Sequence, residues 1–184
     1  MDRVLHVLMG LLPGNLAELA DTNLYLPAPE AKDYYSIPQD PDQVIQNHNV
    51  AVFIYPAGPR TEVATGSGGG GVGQMEFREF PLDVTLVCRR AMYDPVNKPV
   101  LGANGKHLIH DEVLRRRAER YTGAIIKSVL EGACCGESGI IHVSLADDMA
   151  DIFFDEKSEK PLWGIASAQF ILQQKVSLPF RRGL

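Results

Sequence analysis

His107-Leu-Ile-His110-Asp111 is the stretch of this chain with the most concentrated capacity for chemistry. On a helix its two imidazoles would share a face, and a His-Asp doublet of this kind serves metal-dependent phosphohydrolases, where imidazole and carboxylate hold a divalent ion. That chemistry needs another His and a distant Asp aimed into the same pocket. His142, Asp147, Asp148 and Asp151 supply the residue types, but His142 falls in a strand-like run and the aspartates in a loop-like one. The plainer reading makes Asp111 the N-cap of a following helix, with the histidines in its approach loop.

Gly66, Gly68, Gly69, Gly70, Gly71 and Gly73 crowd into eight residues and formally satisfy G-x-G-x-x-G. A pyrophosphate site of that form needs a helix N-terminus after the glycines. Here Gln74-Met-Glu-Phe-Arg-Glu-Phe follows, which reads as strand, and there is no Lys-Ser or Lys-Thr for a P-loop. The tract is expected to be the tip of a hairpin, costly to order until a partner fixes it. Cys134-Cys135 lacks the C-x-x-C spacing of a redox pair, and adjacent cysteines bridge only with strain. Small residues at a helix C-terminus, with Gly136 as a left-handed cap, account for them. Asp147-Asp148 and Asp155-Glu156 are read as solvated acidic loops. Spacing nominates no nucleophile, so neither a catalytic residue nor a cofactor or metal site is assigned.

Composition narrows the classes further. The 184 residues, 45% hydrophobic and 22% charged, suit one globular domain spanning 1–184. A net charge of −5, with no basic block beyond Arg115-Arg116-Arg117 and Arg181-Arg182, argues against a nucleic-acid grip. Three cysteines, two of them adjacent, fit a reducing compartment. The apolar N-terminal run is interrupted by His6 and lacks a basic lead, so it reads as a helix and not a signal peptide. No apolar run approaches the about 20 residues that cross a bilayer, and a soluble protein is expected.

The elements that would position these groups follow from periodicity. Val113, Leu114, Ala118, Tyr121, Ile125 and Val129 form one stripe of a helix from Asp111 to about Glu131. Asp2 to Met9, extending toward Leu12, is a second helix that Pro13-Gly14 should end or kink, with Asn15 capping a short further turn. Residues 27–49 carry four prolines and are expected to be extended or irregular, either a surface excursion or an arm that packs on a neighbouring subunit. Val50 to Tyr55 is a strand, Met75 to Phe80 is another, and Leu82 to Cys88 alternates with period two, Pro81 marking a bulge or edge at its start. Ile140 to Leu145 and Asp151 to Phe154 precede a polar turn and a last strand, Trp163 to Val176. In that strand Ala166, Ala168, Phe170 and Leu172 share the inward face. The expected fold is α+β: an antiparallel or mixed sheet packed by helices on one face, in the order α-β-β-β-α-β-β, leaving the other face free for a partner or a channel.

This ordering resembles the tail terminator (tail completion) proteins of long-tailed bacteriophages. The resemblance is carried by the short first helix, by Leu19-Ala-Asp-Thr-Asn-Leu-Tyr-Leu-Pro27 leading after an insertion to Val50–Tyr55, by Leu82–Cys88, by the helix 111–131, and by Ile152-Phe-Phe-Asp-Glu turning into Trp163–Val176. The proline-rich insertion and the glycine tract depart from the compact family pattern. The resemblance implies a virion protein, assembled in the host bacterial cytoplasm, that forms a homohexameric ring at the head-proximal end of the tail. Its partners would be copies of itself, the tail tube protein and the head-tail connector protein, with genomic DNA passing through the lumen unbound and no membrane involved. Gly66, Gly68, Gly69, Gly70, Gly71 and Gly73 would form a contact loop to neighbouring subunits or the tube. A head-to-tail connector is the nearest alternative, and a metal-dependent hydrolase built on His107, His110 and Asp111 is the alternative from another class.

Overall fold

Alternating apolar residues on three strands commit one face of a sheet to burial, and that face decides where everything else sits. In the computed structural model, residues 2–19, 24–58, 61–66, 75–90, 110–132, 140–154 and 162–177 are described. Helix α1 (Asp2–Leu19) is followed by a 3-10 turn (Ala31–Asp33), β1 (Tyr34–Tyr35) and α2 (Pro41–Asn47). Then come β2 (Val50–Pro56), β3 (Thr61–Gly66), β4 (Met75–Arg89), α3 (His110–Gly132), β5 (Ile140–Phe154) and β6 (Trp163–Ser177). The strands form a single mixed sheet in the order β1-β2-β4-β6-β5, with β3 also paired to β4. Among the described residues, only the short β1–β2 pair is parallel. The expected α+β class holds, but the order differs: β1 and α2 lie inside the proline-rich segment, β3 is added, the strands expected at 75–80 and 82–88 are one strand, β4, and those at 140–145 and 151–154 are one strand, β5.

Val50, Val52 and Ile54 of β2, Leu82, Val84, Leu86 and Cys88 of β4, and Ala166, Ala168, Phe170 and Leu172 of β6 form the face under α1 and α3. Onto it α1 lays Val4, Leu8, Leu12 and Leu16, and α3 lays Leu114, Ala118, Tyr121, Ile125 and Val129. Burial pushes the Cys88 thiol up to about 12, so it stays a protonated, inert core residue. Among the described residues no helix is long and apolar enough to cross a membrane.

Helix α1 runs through Pro13 instead of ending there. An interior proline costs about 3 kcal/mol in a helix. Here Pro13 and Gly14 are exposed, while the stripe Val4, Leu8, Leu12, Leu16 stays in register across them. Asn15 is not a cap: it is buried and donates to Ser128 Oγ on α3 at 2.9 Å. At the other end of this helix pair, a Cβ on Gly132 would come within 2.5 Å of Val7, so glycine sets how closely α3 approaches α1.

Strand β4 also absorbs a proline. Pro81 sits inside a 15-residue strand, paired with Ile171 of β6 without a break in register. Its carbonyl accepts from Ala57 N–H at 3.0 Å, so its missing donor faces the same side. On that side β2 ends at Pro56 opposite Leu82 and β3 begins at Thr61 opposite Glu79. The irregularity therefore lies in the neighbouring line of chain, and β4 itself continues.

Arg115-Arg116-Arg117 is not a uniform solvated block. Arg115 and Arg116 pair along the helix with Glu119 and Glu112. Arg117 is buried and donates to the carbonyls of Tyr25 at 3.2 Å and Arg90 at 2.8 Å. One turn on, the Tyr121 hydroxyl donates to Pro27 O at 2.7 Å. These bonds staple residues 25–27 over α3, and removing a buried donor strands its acceptor. By contrast, the Tyr34 hydroxyl is buried with no hydrogen-bond partner among the described residues. Tyr121→Phe is expected to lower stability by about 1–2 kcal/mol, whereas Tyr34→Phe is neutral or stabilising by up to about 1 kcal/mol. Urea unfolding of the two variants measures the contrast.

Candidate assembly face

The side of the sheet away from α1 and α3 divides into an apolar end and a polar expanse. At the apolar end, Ala51 and Phe53 of β2 and Val87 of β4 are buried under Val44 and Ile45 of α2, with Tyr35, Tyr55, Trp163 and Ile165 packed around them. The proline-rich segment is thus not extended and irregular: it carries a 3-10 turn, a strand and a helix, and α2 covers one end of the face expected to be free. Asp40 caps α2 by accepting from Asp42 N–H at 3.0 Å, and Pro41 occupies the first helical position, where its missing donor is harmless. Burying Val44 and Ile45 contributes about 3–6 kcal/mol at most. Ordering the helix backbone costs about 1 kcal/mol or more per residue, so docking of α2 depends on ties at its ends.

Those ties involve residues that the periodicity of the sequence does not flag. Beyond the C-terminal end of α2, His48 Nδ1 lies 2.6 Å from Asp33 Oδ1, and His48 Nε2 lies 3.0 Å from the Tyr35 hydroxyl. The other Asp33 oxygen accepts from Glu30 N–H at 2.8 Å, which closes the 3-10 turn. A polar cleft of about 230 Å³ opens beside this chain of bonds, lined by Tyr25, Pro27, Glu30, Asp33, His48 and Arg89. Because both oxygens of Asp33 are engaged, the arrangement is an anchor for the segment between α1 and β2. Near the N-terminal end of α2, Trp163 Nε1 donates to Asp42 Oδ1 at 2.7 Å.

Beyond α2 the same face carries polar rows, interrupted by Pro81 opposite Ile171. Thr85 and Ser167 share a hydrogen bond at 3.1 Å, Gln169 donates to Asp83 at 2.9 Å, and Gln173 donates to Glu79. His142 of β5 lies opposite Gln173 in the same outer row and is exposed. Each carboxylate receives one amide donor and keeps acceptor capacity facing out. These rows are therefore rich in acceptors, and Arg89 lies on the same face of β4 at the α2 end.

The edge strands each have one strand partner among the described residues: β5 pairs only with β6, β3 only with β4, and β1 only with β2. Strands β4, β5 and β6 are each 15 residues long, about 50 Å at 3.4 Å per residue. Backbone pairing of β4 with β3 and β6 runs on to Met75.

Gly66 ends β3 and pairs with Met75, which makes the residues between them the connection of an antiparallel hairpin. A strand follows the glycines, so the helix N-terminus that a pyrophosphate would need is missing there. Gly68, Gly69, Gly70, Gly71 and Gly73 lie outside the described residues, as do His107, Cys134, Cys135, Gly136, Asp155 and Glu156. His110 and Asp111 open α3, which places Asp111 in the first turn and not ahead of it as a cap. Asp147 and Asp148 fall within β5, where register with β6 shifts between Leu145 and Ala150, and Asp151 is also in β5; the expected loop is an irregular strand. No group of three His, Cys, Asp or Glu among the described residues is arranged to hold a metal.

No protein-family model matches the chain, and no curated protein matches it in sequence. Burial of Cys88 yields a direct check on the core beneath this face. Alkylation mapped by mass spectrometry is expected to leave Cys88 unmodified in the native protein at pH 8 and to label it fully in urea. Rapid native labelling would show that the β4–α3 contact opens.

Proposed function

We propose that this chain is a structural virion protein that forms a ring at the head-proximal end of a phage tail tube, ends tube polymerisation and presents the surface for head joining. One observation carries the proposal: a sheet whose edge strands each have one strand partner among the described residues has its two long helices on one face and rows of acceptor-bearing side chains on the other. Edge strands on opposite sides of a subunit suit a heterologous contact, which closes into a ring when its rotation permits. The layer of α1 and α3, about 10 Å thick, takes the larger, outer radius. The polar face then turns inward. Carboxylates on that face and a net charge of −5 keep DNA sliding instead of sticking.

Light scattering on purified protein is expected to give about 121 kDa, six protomers of 20.2 kDa in a closed ring. Pure tail tubes are expected to bind and portal or connector rings to bind more weakly; the reverse preference assigns the chain to the neck instead. Deleting Gly68 to Gly71 is expected to weaken assembly at least tenfold while circular dichroism and thermal unfolding stay unchanged. Unaltered assembly would remove the hairpin tip from the contact.

A further inference from the structure

The short helix α2 lies on the face that the ring assignment turns inward, where a small movement would change the width of a passage. It crosses β2, β4 and β6 on the face opposite α1 and α3, and of its side chains only Val44 and Ile45 are buried. Residues 36–40, which lead into it, are exposed, and Ile37 is 66% exposed. The ends of α2 are held differently. At the C-terminal end His48 is fixed to Asp33 and Tyr35 and the chain enters β2 at Val50, which makes a hinge. At the N-terminal end the tie from side chain to sheet is the bond from Trp163 to Asp42, on the exposed side. Swinging about His48 would break that bond and uncover Ala51, Phe53, Val87 and Ile165. The cost of wetting this apolar patch returns the helix to its seat.

We propose that α2 is a movable constriction: a strap that narrows the lumen of the ring and yields to what passes through it. The proposal rests on the ring assignment above and adds to it a gate that the rest of the polar face lacks. A helix with its side chains is about 10 Å thick, so copies facing one another across a ring narrow the bore by about 20 Å.

Electron cryomicroscopy of the ring formed by the full chain, alone or on tail tubes, tests this together with the Ile45→Asp and Asp42→Ala variants. Trp163 is the chain's one tryptophan, so its emission reports the seating of α2. The wild-type ring is expected to show α2 on the lumen wall. The Ile45→Asp ring is expected to lose that density, with a bore wider by about 20 Å and red-shifted Trp163 emission. Should Ile45→Asp fail to fold, Asp42→Ala, which alters only the exposed catch, carries the test through weakened α2 density and a red shift. A ring with α2 on its outer wall, or variants with unchanged bore and emission, would overturn the constriction and leave the ring standing. Absence of a ring with and without tubes would overturn both.

Discussion

Strand β4 is hydrogen-bonded along both margins, to β2 and β3 on one side and β6 on the other, and this constrains the rest of the molecule. A strand held on both sides cannot slip by one residue without exchanging its faces. Leu82, Val84, Leu86 and Cys88 must therefore meet α1 and α3, and Asp83, Thr85 and Val87 must face away from them. Because the partners of β4 keep the same phase, the alternation of one strand becomes the two-sided character of the whole sheet. The apolar side is spent on the core, and the chemistry of the other side is left to Asp83, Gln169, Glu79 and Gln173.

Helix α3 carries a second commitment. Its buried stripe faces the sheet, yet Arg117 and Tyr121 also reach back to main-chain carbonyls of residues 25 and 27. Those bonds fix the point from which the proline-rich segment leaves the core. The segment then returns over the opposite face of the sheet, so the helix that organises one side also determines where α2 can be delivered on the other. Fold and candidate site are coupled through a few buried donors together with the packing of Tyr25, Leu26 and Tyr34 against the core.

Much of this was legible in the sequence where one period dominated. The stripe Val113, Leu114, Ala118, Tyr121, Ile125, Val129 is buried throughout, and the inward set Ala166, Ala168, Phe170, Leu172 lies in the core as its alternation implied. Local rules failed where tertiary contacts outweighed them. Pro13 does not end α1, because four buried aliphatics hold the helix on both sides of it. Asn15 and Arg117 have the look of a cap and of part of a charge run, and only the meeting of distant segments reveals their partners. Prolines at 38 and 41 suggested irregular chain, but Pro41 starts a helix behind Asp40. The tie from Asp33 through His48 to Tyr35 spans residues too far apart for spacing to suggest it.

The break opposite Pro81 also has a mechanical meaning. On one side of β4 the ladder is interrupted between Leu82 and Glu79, while on the other side pairing with β6 continues through that level. At the level of Pro81, then, a load along β4 passes through one continuous ladder of hydrogen bonds, that to β6, whereas above and below it is shared between two.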